Sequence, residues 1–314
     1  MRNRLITIFG GTGFLGRYIV PRLAERGALI RVISRDPARG CHLQPMGRVG
    51  QIVVERADLL DDAALRGALA EAFAAINLIG ILHERRRGQF DLIQGALPGR
   101  IANAAAGCSV ERVVQISAIG ADPESSSAYG RSKAKGERAA LQGFPHATIL
   151  RPSIVIGPED GFFNRFAAMA RLLPALPLIG GGRTRFQPVY VGDVADAAVA
   201  ALTREDVLGR TYELGGPRVY SFAELMRYML EQIHRRRLLI PLSFELARLQ
   251  ARVLELLPEP PLTRDQVELL KRDNVVAEDA AGLAELGVTP TPIELIVPDY
   301  LERYRPDAAR VVAR

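Results

Sequence analysis

The first half of the chain alternates short apolar runs with longer amphipathic stretches. Leu5–Phe9, Leu29–Ser34, Ile52–Glu55, Ala75–Ile79, Arg112–Ser117 and Ala147–Arg151 are compact and mostly apolar or β-branched, as strands buried on both faces are. Between them lie Ala-rich or charged stretches such as Asp61–Ala72. After the first run, Leu15, Ile19 and Leu23 recur at helical spacing up to Gly27, a predicted C-cap. Pro21 falls inside that helix and predicts a kink or an irregular turn, because proline has no N–H for the helical ladder. Strand and helix in alternation predict an α/β fold with a doubly wound parallel sheet and right-handed crossovers.

Past Arg151-Pro152 the alternation loosens, and Pro174, Pro177 and Gly180-Gly181-Gly182 crowd the chain. A domain boundary is predicted near residue 152. Residues 1–152 would form the Rossmann domain, with strands returning to it from about 185–215, and residues 153–314 a smaller, mainly helical C-terminal domain. Helices are predicted at Phe162–Leu173, Asp193–Thr203, Phe222–His234, Phe244–Leu257 and Thr263–Lys271, and short strands at Val189–Val191 and Tyr212–Leu214.

Composition narrows the function classes. At 314 residues, 48% hydrophobic and 24% charged, the chain is a globular protein able to bury a sizeable core. A net charge of +6 raises the prospect of nucleic acid, but tryptophan is absent, aromatics are 6% and no nucleic-acid motif is present, so none is expected as a partner. Cys41 and Cys108 lack paired spacing, and His42, His83, His146 and His234 are scattered, so neither disulfides nor a metal site are expected. Arg or Glu breaks every long apolar run, which predicts no membrane span, and the first strand starts at Arg4, which predicts no leader ahead of it.

The candidate chemistry begins at Gly10-Gly11-Thr12-Gly13-Phe14-Leu15-Gly16, between a predicted strand and a predicted helix. Glycines there let the backbone approach a pyrophosphate, which the unpaired N–H groups of a helix N-terminus bind. The spacing is G-x-x-G-x-x-G, and its place at the first turn of an α/β pattern strengthens the reading of a dinucleotide site. About 20 residues further on, an acid would favour NAD and an arginine the 2′-phosphate of NADP. Ser34-Arg35-Asp36 offers both, with Arg35 nearer the strand, so NADP(H) is the expected cofactor.

Tyr129-x-x-x-Lys133 places both side chains on one helix face, where an ammonium favours the tyrosinate needed for proton transfer. Ser117, at the end of its strand, is placed to polarise a carbonyl. Together these candidate catalytic residues would support hydride transfer to or from a carbonyl or alcohol. The same spacing also arises as a plain helix surface pair.

Together with Asp58-Leu59, Arg151-Pro152 and Pro188-Val189-Tyr190-Val191-x-Asp193-Val194, these motifs resemble the extended and atypical short-chain dehydrogenase/reductases over most of the chain. The resemblance implies that Asp58 and Leu59 contact the adenine, that Pro152, Ser153 and Val155 lie by the nicotinamide carboxamide, and that Lys133 bonds the nicotinamide ribose. Adding Ser125-Ser126-Ser127-x-Tyr129, Thr263-Arg264-Asp265-x-Val267-Glu268 and Gly282-Leu283-x-x-Leu286-Gly287-Val288-x-x-Thr291-Pro292-x-Glu294-Leu295 narrows it. The chain then resembles the NADPH-binding accessory subunits of respiratory complex I and their bacterial relatives. That resemblance implies a nucleotide held as a structural element, no turnover, and partners among the hydrophilic-arm subunits of NADH:quinone oxidoreductase, peripheral on the cytoplasmic face of a bacterial inner membrane. An active NADP-dependent reductase or epimerase, cytoplasmic and free, is the alternative, although only 12 residues separate Ser117 from Tyr129, fewer than the extended enzymes generally carry.

One segment has two readings. His234-Arg235-Arg236-Arg237 precedes a helix with Leu246, Leu249, Val253 and Leu256 on one face. A basic cap beside an apolar face suits an acidic partner or a membrane surface, and an apolar face suits equally an ordinary core-facing helix.

Overall fold

A computed structural model describes residues 1–306. The chain runs through β1 (Leu5–Phe9), α1 (Gly16–Glu25), β2 (Leu29–Ser34), β3 (Ile52–Arg56), α2 (Asp62–Leu69), β4 (Ala74–Asn77), α3 (Leu97–Gly107), β5 (Arg112–Ile116), α4 (Ala128–Gly143) and β6 (Thr148–Pro152). It continues with β7 (Val155–Ile156), α5 (Phe163–Leu172), β8 (Ala175–Ile179), β9 (Arg185–Phe186), β10 (Val189–Tyr190), α6 (Val191–Thr203), β11 (Thr211–Leu214) and β12 (Tyr220–Ser221). The last elements are α7 (Phe222–Gln232), β13 (Leu238–Leu242), α8 (Phe244–Leu254), α9 (Arg264–Leu269) and α10 (Val297–Leu301). Two compact units result. One comprises Met1–Pro152, Gly192–Leu214 and Asp279–Thr289; the other comprises Ser153–Val191, Gly215–Glu278 and the segment from Pro290.

The first unit is a seven-stranded sheet in the order β11-β6-β5-β4-β1-β2-β3, every neighbouring pair parallel. The order reverses between β1 and β4, and at such a switch point the loops leaving the strand ends part to form a crevice. Apolar side chains on both faces hold the sheet: Ile6, Ile8, Ile76, Val114 and Ile149 are all fully buried. α1 passes through Pro21 without a break and closes at Gly27, whose positive φ lets Gly27 N–H and Ala28 N–H donate to the Ala24 and Leu23 carbonyls. The irregularity lies instead at its start, where Leu15 O accepts from both Tyr18 and Ile19.

Two glycines set how closely α3 and α4 approach. A Cβ on Gly99 would lie 2.8 Å from Ala139 Cβ, and one on Gly136 only 1.9 Å from the carbonyl oxygen of Gln94. Gln94 belongs to a π-helical turn, Asp91–Ala96, that leads into α3. The wide turn presses backbone against backbone, and no side chain fits between.

The second unit is organised by aromatic side chains. Phe162 meets Phe163, Phe166, Phe186 and Phe222 at centroid separations of 5.2 to 6.2 Å. α5, α7 and α10 contribute to the core around this cluster. Three two-stranded ladders complete it: β7 with β10 and β8 with β13, both parallel, and β9 with β12, antiparallel. β8 and β13 are not predicted from the sequence, because each contains a proline. A two-stranded ladder tolerates this, since each strand has an edge free of bonding, and Pro177 and Pro241 sit opposite Ile240 and Leu178.

Asp160 ties the end of the described chain to this core. Its Oδ1 accepts from the Phe162 and Asn164 amides at 2.9 and 3.3 Å, and its Oδ2 from Gly157 N–H at 3.3 Å and from the Tyr300 hydroxyl. Burial nevertheless pushes the Asp160 carboxyl above the usual range, and burial beside that carboxylate pushes the Tyr300 phenol up as well.

The face of α8 that carries Leu246, Leu249 and Val253 points to solvent, so the core-facing reading of that helix fails. Ala247 and Ala251 are the side chains it buries. The helix also stops at Leu254, three residues short of the predicted end.

The α3–α4 contact yields a test. Gly136→Ala, a methyl group with no space, is expected to cost about 1–3 kcal/mol. Urea denaturation of the variant should show a lower midpoint with unchanged slope.

Candidate functional site

The glycine loop follows β1 at the switch point, and its glycines serve different ends. Gly10 has φ +77°, and a Cβ there would lie 2.9 Å from Ile79 Cγ1. A Cβ on Gly16 would lie 2.0 Å from the Gly11 carbonyl oxygen, so α1 can start this close to the loop only at a glycine. Gly13 is different: its φ is ordinary, it is exposed, and a Cβ would meet nothing closer than Gly10 O at 3.3 Å. Packing within the protein barely restricts a side chain at Gly13, and bare backbone there suits the approach of a ligand. No side chain caps the N-terminus of α1; the Arg17 and Tyr18 amides donate to Gly13 O and Leu15 O, and the amides of Phe14, Leu15 and Gly16 just ahead of them make no backbone hydrogen bond among the described residues and can meet an anion. Phe14 stacks edge-on with Tyr18 at 5.9 Å, which fixes the turn from Leu15 into the helix.

At the end of β2, Thr12 Oγ1 lies 3.4 Å from Ser34 Oγ, linking the loop to the second strand. Arg35 is exposed and takes part in no ion pair among the described residues. Asp36 is already engaged: its carboxylate accepts from Ala38 N–H at 3.2 Å and caps the 3-10 segment Pro37–Met46. Asp58 likewise accepts from Leu60 N–H at 2.9 Å within its own turn, and Leu59 packs against the core.

The second half of the site is set by how α4 begins. Ser127 Oγ accepts from Gly130 N–H, and Ser125 Oγ accepts from Ser127 N–H, both at 3.2 Å. This fixes Tyr129 in the first turn and Lys133 one turn on, with Lys133 Nζ 5.8 Å from the centre of the Tyr129 ring. Lys133 is buried, and its ammonium donates to Ile116 O at 3.4 Å, next to Ser117. Ser117 N–H donates to Leu150 O at 2.7 Å, whereas its buried Oγ has no hydrogen-bond partner. A buried hydroxyl without a partner is able to hydrogen-bond a polar ligand atom.

Burial lowers Lys133 to about 8, against a smaller upward pull from Glu137. Glu137 is itself held by Arg151, at 2.8 and 2.6 Å, and Arg151 also reaches Glu213 at 3.4 Å. The hydrogen bonds to Glu137 raise the Arg151 guanidinium further, so it stays charged, and its positive charge offsets the carboxylate nearest to Lys133.

Three amides that spacing arguments pass over connect these parts. Asn77 donates to Gln115 Oε1 at 2.8 Å and accepts from Ile79 N–H at 3.1 Å, and Gln115 donates to Ile116 O at 2.7 Å. Gln94 accepts from Ile81 N–H and donates to Ser132 Oγ, both at 2.9 Å, and Ser132 in turn donates to Tyr129 O at 2.8 Å. The segment 78–81, which lies against Gly10, is thereby pinned to α4. In the sequence Asn77 and Gln115 are each only one polar residue in an apolar run, with no spacing that says what it bonds.

The structure thus gathers Gly10, Thr12, Gly13, Phe14, Leu15 and Gly16 with the ends of β2 and β3, and Ser117 with Tyr129 and Lys133, along one edge of one sheet. Pro152 ends β6, where its carbonyl accepts from Ile119 N–H at 3.0 Å. Ser153 and Val155 belong to the second unit. The Ser153 hydroxyl is used there, donating to Asn274 Oδ1 at 2.6 Å, and Val155 pairs with Val189. Among the described residues no three His, Cys, Asp or Glu side chains are grouped to hold a metal ion, and no helix is long and apolar enough to cross a membrane.

A glycine turn at the switch point, an open Gly13 and a Tyr-Lys pair on α4 coincide with a match of residues 6–215 to the profile of the NAD dependent epimerase/dehydratase family. The chain belongs to that family. Its relatives within the epimerase/dehydratase family include "NADH dehydrogenase (ubiquinone) 1 alpha subcomplex subunit 9, mitochondrial" of Arabidopsis thaliana. The two are 37% identical over 313 residues, covering 95% of this chain and 77% of that protein. The subunit of the same name from Rattus norvegicus is 38% identical over 302 residues, covering 95% and 80%. Among solved structures of the same fold, the triphenylmethane reductase of Citrobacter sp. superposes with a TM-score of 0.75 at 22% identity, over 95% of this chain and 99% of that one. The arrangement therefore sits on an epimerase/dehydratase scaffold bound to nucleotide chemistry by its family.

The buried lysine makes stability depend on pH in a definite direction. Below about pH 8 the folded chain keeps the Lys133 proton and bears the cost of a buried charge. Between about 8 and the ordinary 10.5 only the unfolded chain is protonated, so stability from this group rises with pH across that window. Lys133→Met is therefore expected to be more stable than the parent near pH 7 by up to about 3 kcal/mol, with the gap closing towards pH 10.5. Urea unfolding of both proteins at several pH values measures it.

Proposed function

We propose that this protein is an NADP(H)-holding accessory subunit of NADH:quinone oxidoreductase, supporting assembly or stability of that complex. The observation that carries the reading is the identity of 37% and 38%, across 95% of the chain, to relatives named as subunits of the mitochondrial NADH dehydrogenase. Its partners would be hydrophilic-arm subunits, and its place the cytoplasmic face of a bacterial inner membrane.

The residues present fit a dinucleotide. The Gly10–Gly16 turn and the uncapped start of α1 would receive the pyrophosphate, Asp58 and Leu59 would face the adenine, and the orphan Ser117 hydroxyl with Tyr129 and Lys133 would face the nicotinamide ribose. Arg35 favours the 2′-phosphate of NADP because it is unpaired, while the acid that would favour NAD is occupied in the cap at Ala38. A nicotinamide cofactor, when bound, supplies hydride chemistry. In this reading the chain uses it instead to order the first unit, since a ligand that binds only the folded state stabilises it by mass action. Lys133 holds a proton beside the ribose position, and the network of Asn77, Gln94 and Gln115 keeps segment 78–81 in place.

A working reductase is the second reading, and the buried Lys133 lowered to about 8 beside an unpartnered Ser117 favours it, because a proton exchanges readily from such a lysine near neutral pH.

The decisive experiment is recovery of the tagged protein from mildly solubilised membranes, with partner identification and release of bound nucleotide. Stoichiometric NADPH together with oxidoreductase subunits supports the accessory role. A free protein with exchangeable cofactor and substrate-dependent NADPH oxidation supports the reductase.

Two variants sharpen the test. Arg35→Glu is expected to weaken NADPH binding at least about tenfold while sparing NADH, as titration calorimetry reads. In the basic triplet, Arg235 and Arg237 are already spent on the Tyr304 and Ala170 carbonyls at 3.1 and 2.7 Å, which leaves Arg236 to face a partner. Arg236→Glu is expected to reduce co-purification with the complex and leave nucleotide content intact.

A further inference from the structure

Seven large aliphatic side chains between residues 238 and 257 project into solvent from the second unit. Five are on or just beyond α8: Leu246 is 57% exposed, Leu249 61%, Val253 63%, Leu256 84% and Leu257 50%. Leu238 and Ile240 of β13 precede them. Leu246, Leu249 and Val253 fall at i, i+3 and i+7, a single stripe on the helix surface, and Leu256 and Leu257 follow in the turns beyond its end.

This stripe is not a frayed end. Ser243 caps α8 by accepting from Leu246 N–H, and Ala247 and Ala251 are fully buried against Ile179 and Val267. The Phe244 ring packs where a Cβ on Gly180 would lie, 2.3 Å from its Cζ. Beyond the helix, Leu256 and Leu257 N–H still donate to the Val253 and Leu254 carbonyls. The helix is thus seated on its alanine side and held with its leucine side outward. A face of small residues inward and large aliphatics outward is the reverse of what a surface helix of a lone globular protein shows.

The polar surroundings carry a sign. Arg252 on α8 and Arg236 just ahead of β13 have no carboxylate partner among the described residues, and Arg248 reaches Glu268 only at 4.0 Å. Of the acids of the same segment, Glu255 accepts from the Arg264 backbone and side chain at 2.7 and 2.8 Å, whereas Glu245, in the first turn of α8, is held below the usual range by hydrogen bonds from its own amide and Ser243 and stays charged at that end of the helix. Unpaired arginines beside protruding leucines and a valine match a layer with phosphates outside and hydrocarbon beneath. A protein pocket would more often be met by aromatic anchors, and this stripe has none.

We propose that α8 is an interfacial anchor that lies in the surface of an anionic phospholipid bilayer. Its Leu246, Leu249, Val253 and Leu256 side enters the acyl boundary while Arg252 on the same helix engages lipid phosphates. The contact is carried by this surface alone and holds whether or not the protein joins a larger complex, so it is tested on the isolated full-length chain.

The test is flotation of the purified chain with vesicles of phosphatidylcholine alone or mixed with phosphatidylglycerol. The chain is expected to float with the mixed vesicles and to be released by high salt. The double variant Leu249→Asp/Val253→Asp is expected to bind at least about tenfold less, with unchanged circular dichroism, since both side chains are exposed in the folded protein. Because the sequence has no tryptophan, Leu249→Trp gives an unambiguous probe, whose emission should shift to the blue on adding mixed vesicles. The proposal is overturned if the parent fails to float, if the double variant floats as well as the parent, or if the tryptophan emission does not move. It is also overturned if the parent self-associates without lipid and the double variant does not, which would make a second copy the occupant.

Discussion

Helix α1 starts in backbone contact with the loop that precedes it. A Cβ at Gly16 would fall inside the Gly11 carbonyl, and one at Gly10 against Ile79, so neither neighbour admits a side chain. This contact fixes where the first helix points, and with it the direction of the turn that enters it. It also draws in the segment after β4, because Ile79 is the residue that Gly10 touches. From there the restraint passes through Asn77 and Gln115 to the end of β5, and through Gln94 and Ser132 to the first turn of α4. The two halves of the candidate site thus share one chain of short contacts and do not depend on separate loops.

Placing a lysine at the end of that chain has an electrostatic cost. A buried ammonium with one long hydrogen bond to a backbone carbonyl is poorly solvated, which explains its lowered affinity for a proton. The nearest carboxylate, Glu137, would restore that affinity if left to itself. Arg151 holds Glu137 in a two-point pairing and blunts its effect. The Arg-Pro motif therefore serves the site from behind, through a charge that never reaches the crevice.

The α/β class is legible because its signal is repeated: apolar runs of strand length recur with helices between, and both faces of the sheet are covered. Glycine spacing and the Tyr-Lys pair can likewise be picked out, since each is a local pattern. The amides at Asn77, Gln94 and Gln115 cannot, because a single polar residue in an apolar run has no spacing to betray it. β8 and β13 were hidden by Pro177 and Pro241, whose tolerance depends on a ladder of only two strands. Periodicity in α8 marked an apolar face correctly and left its direction open. Two alanines sufficed to seat the helix, so its larger residues were free to point away.

The buried bond between Tyr300 and Asp160 bears on the order of biosynthesis. Asp160 is made 140 residues before its partner in α10, and Val297 and Leu301 complete the same core. The first unit also awaits a late strip, Asp279–Thr289. The contacts of both units stay incomplete until these late segments have been made. Until then the growing polypeptide exposes unfinished core surface, the kind of surface that chaperones cover.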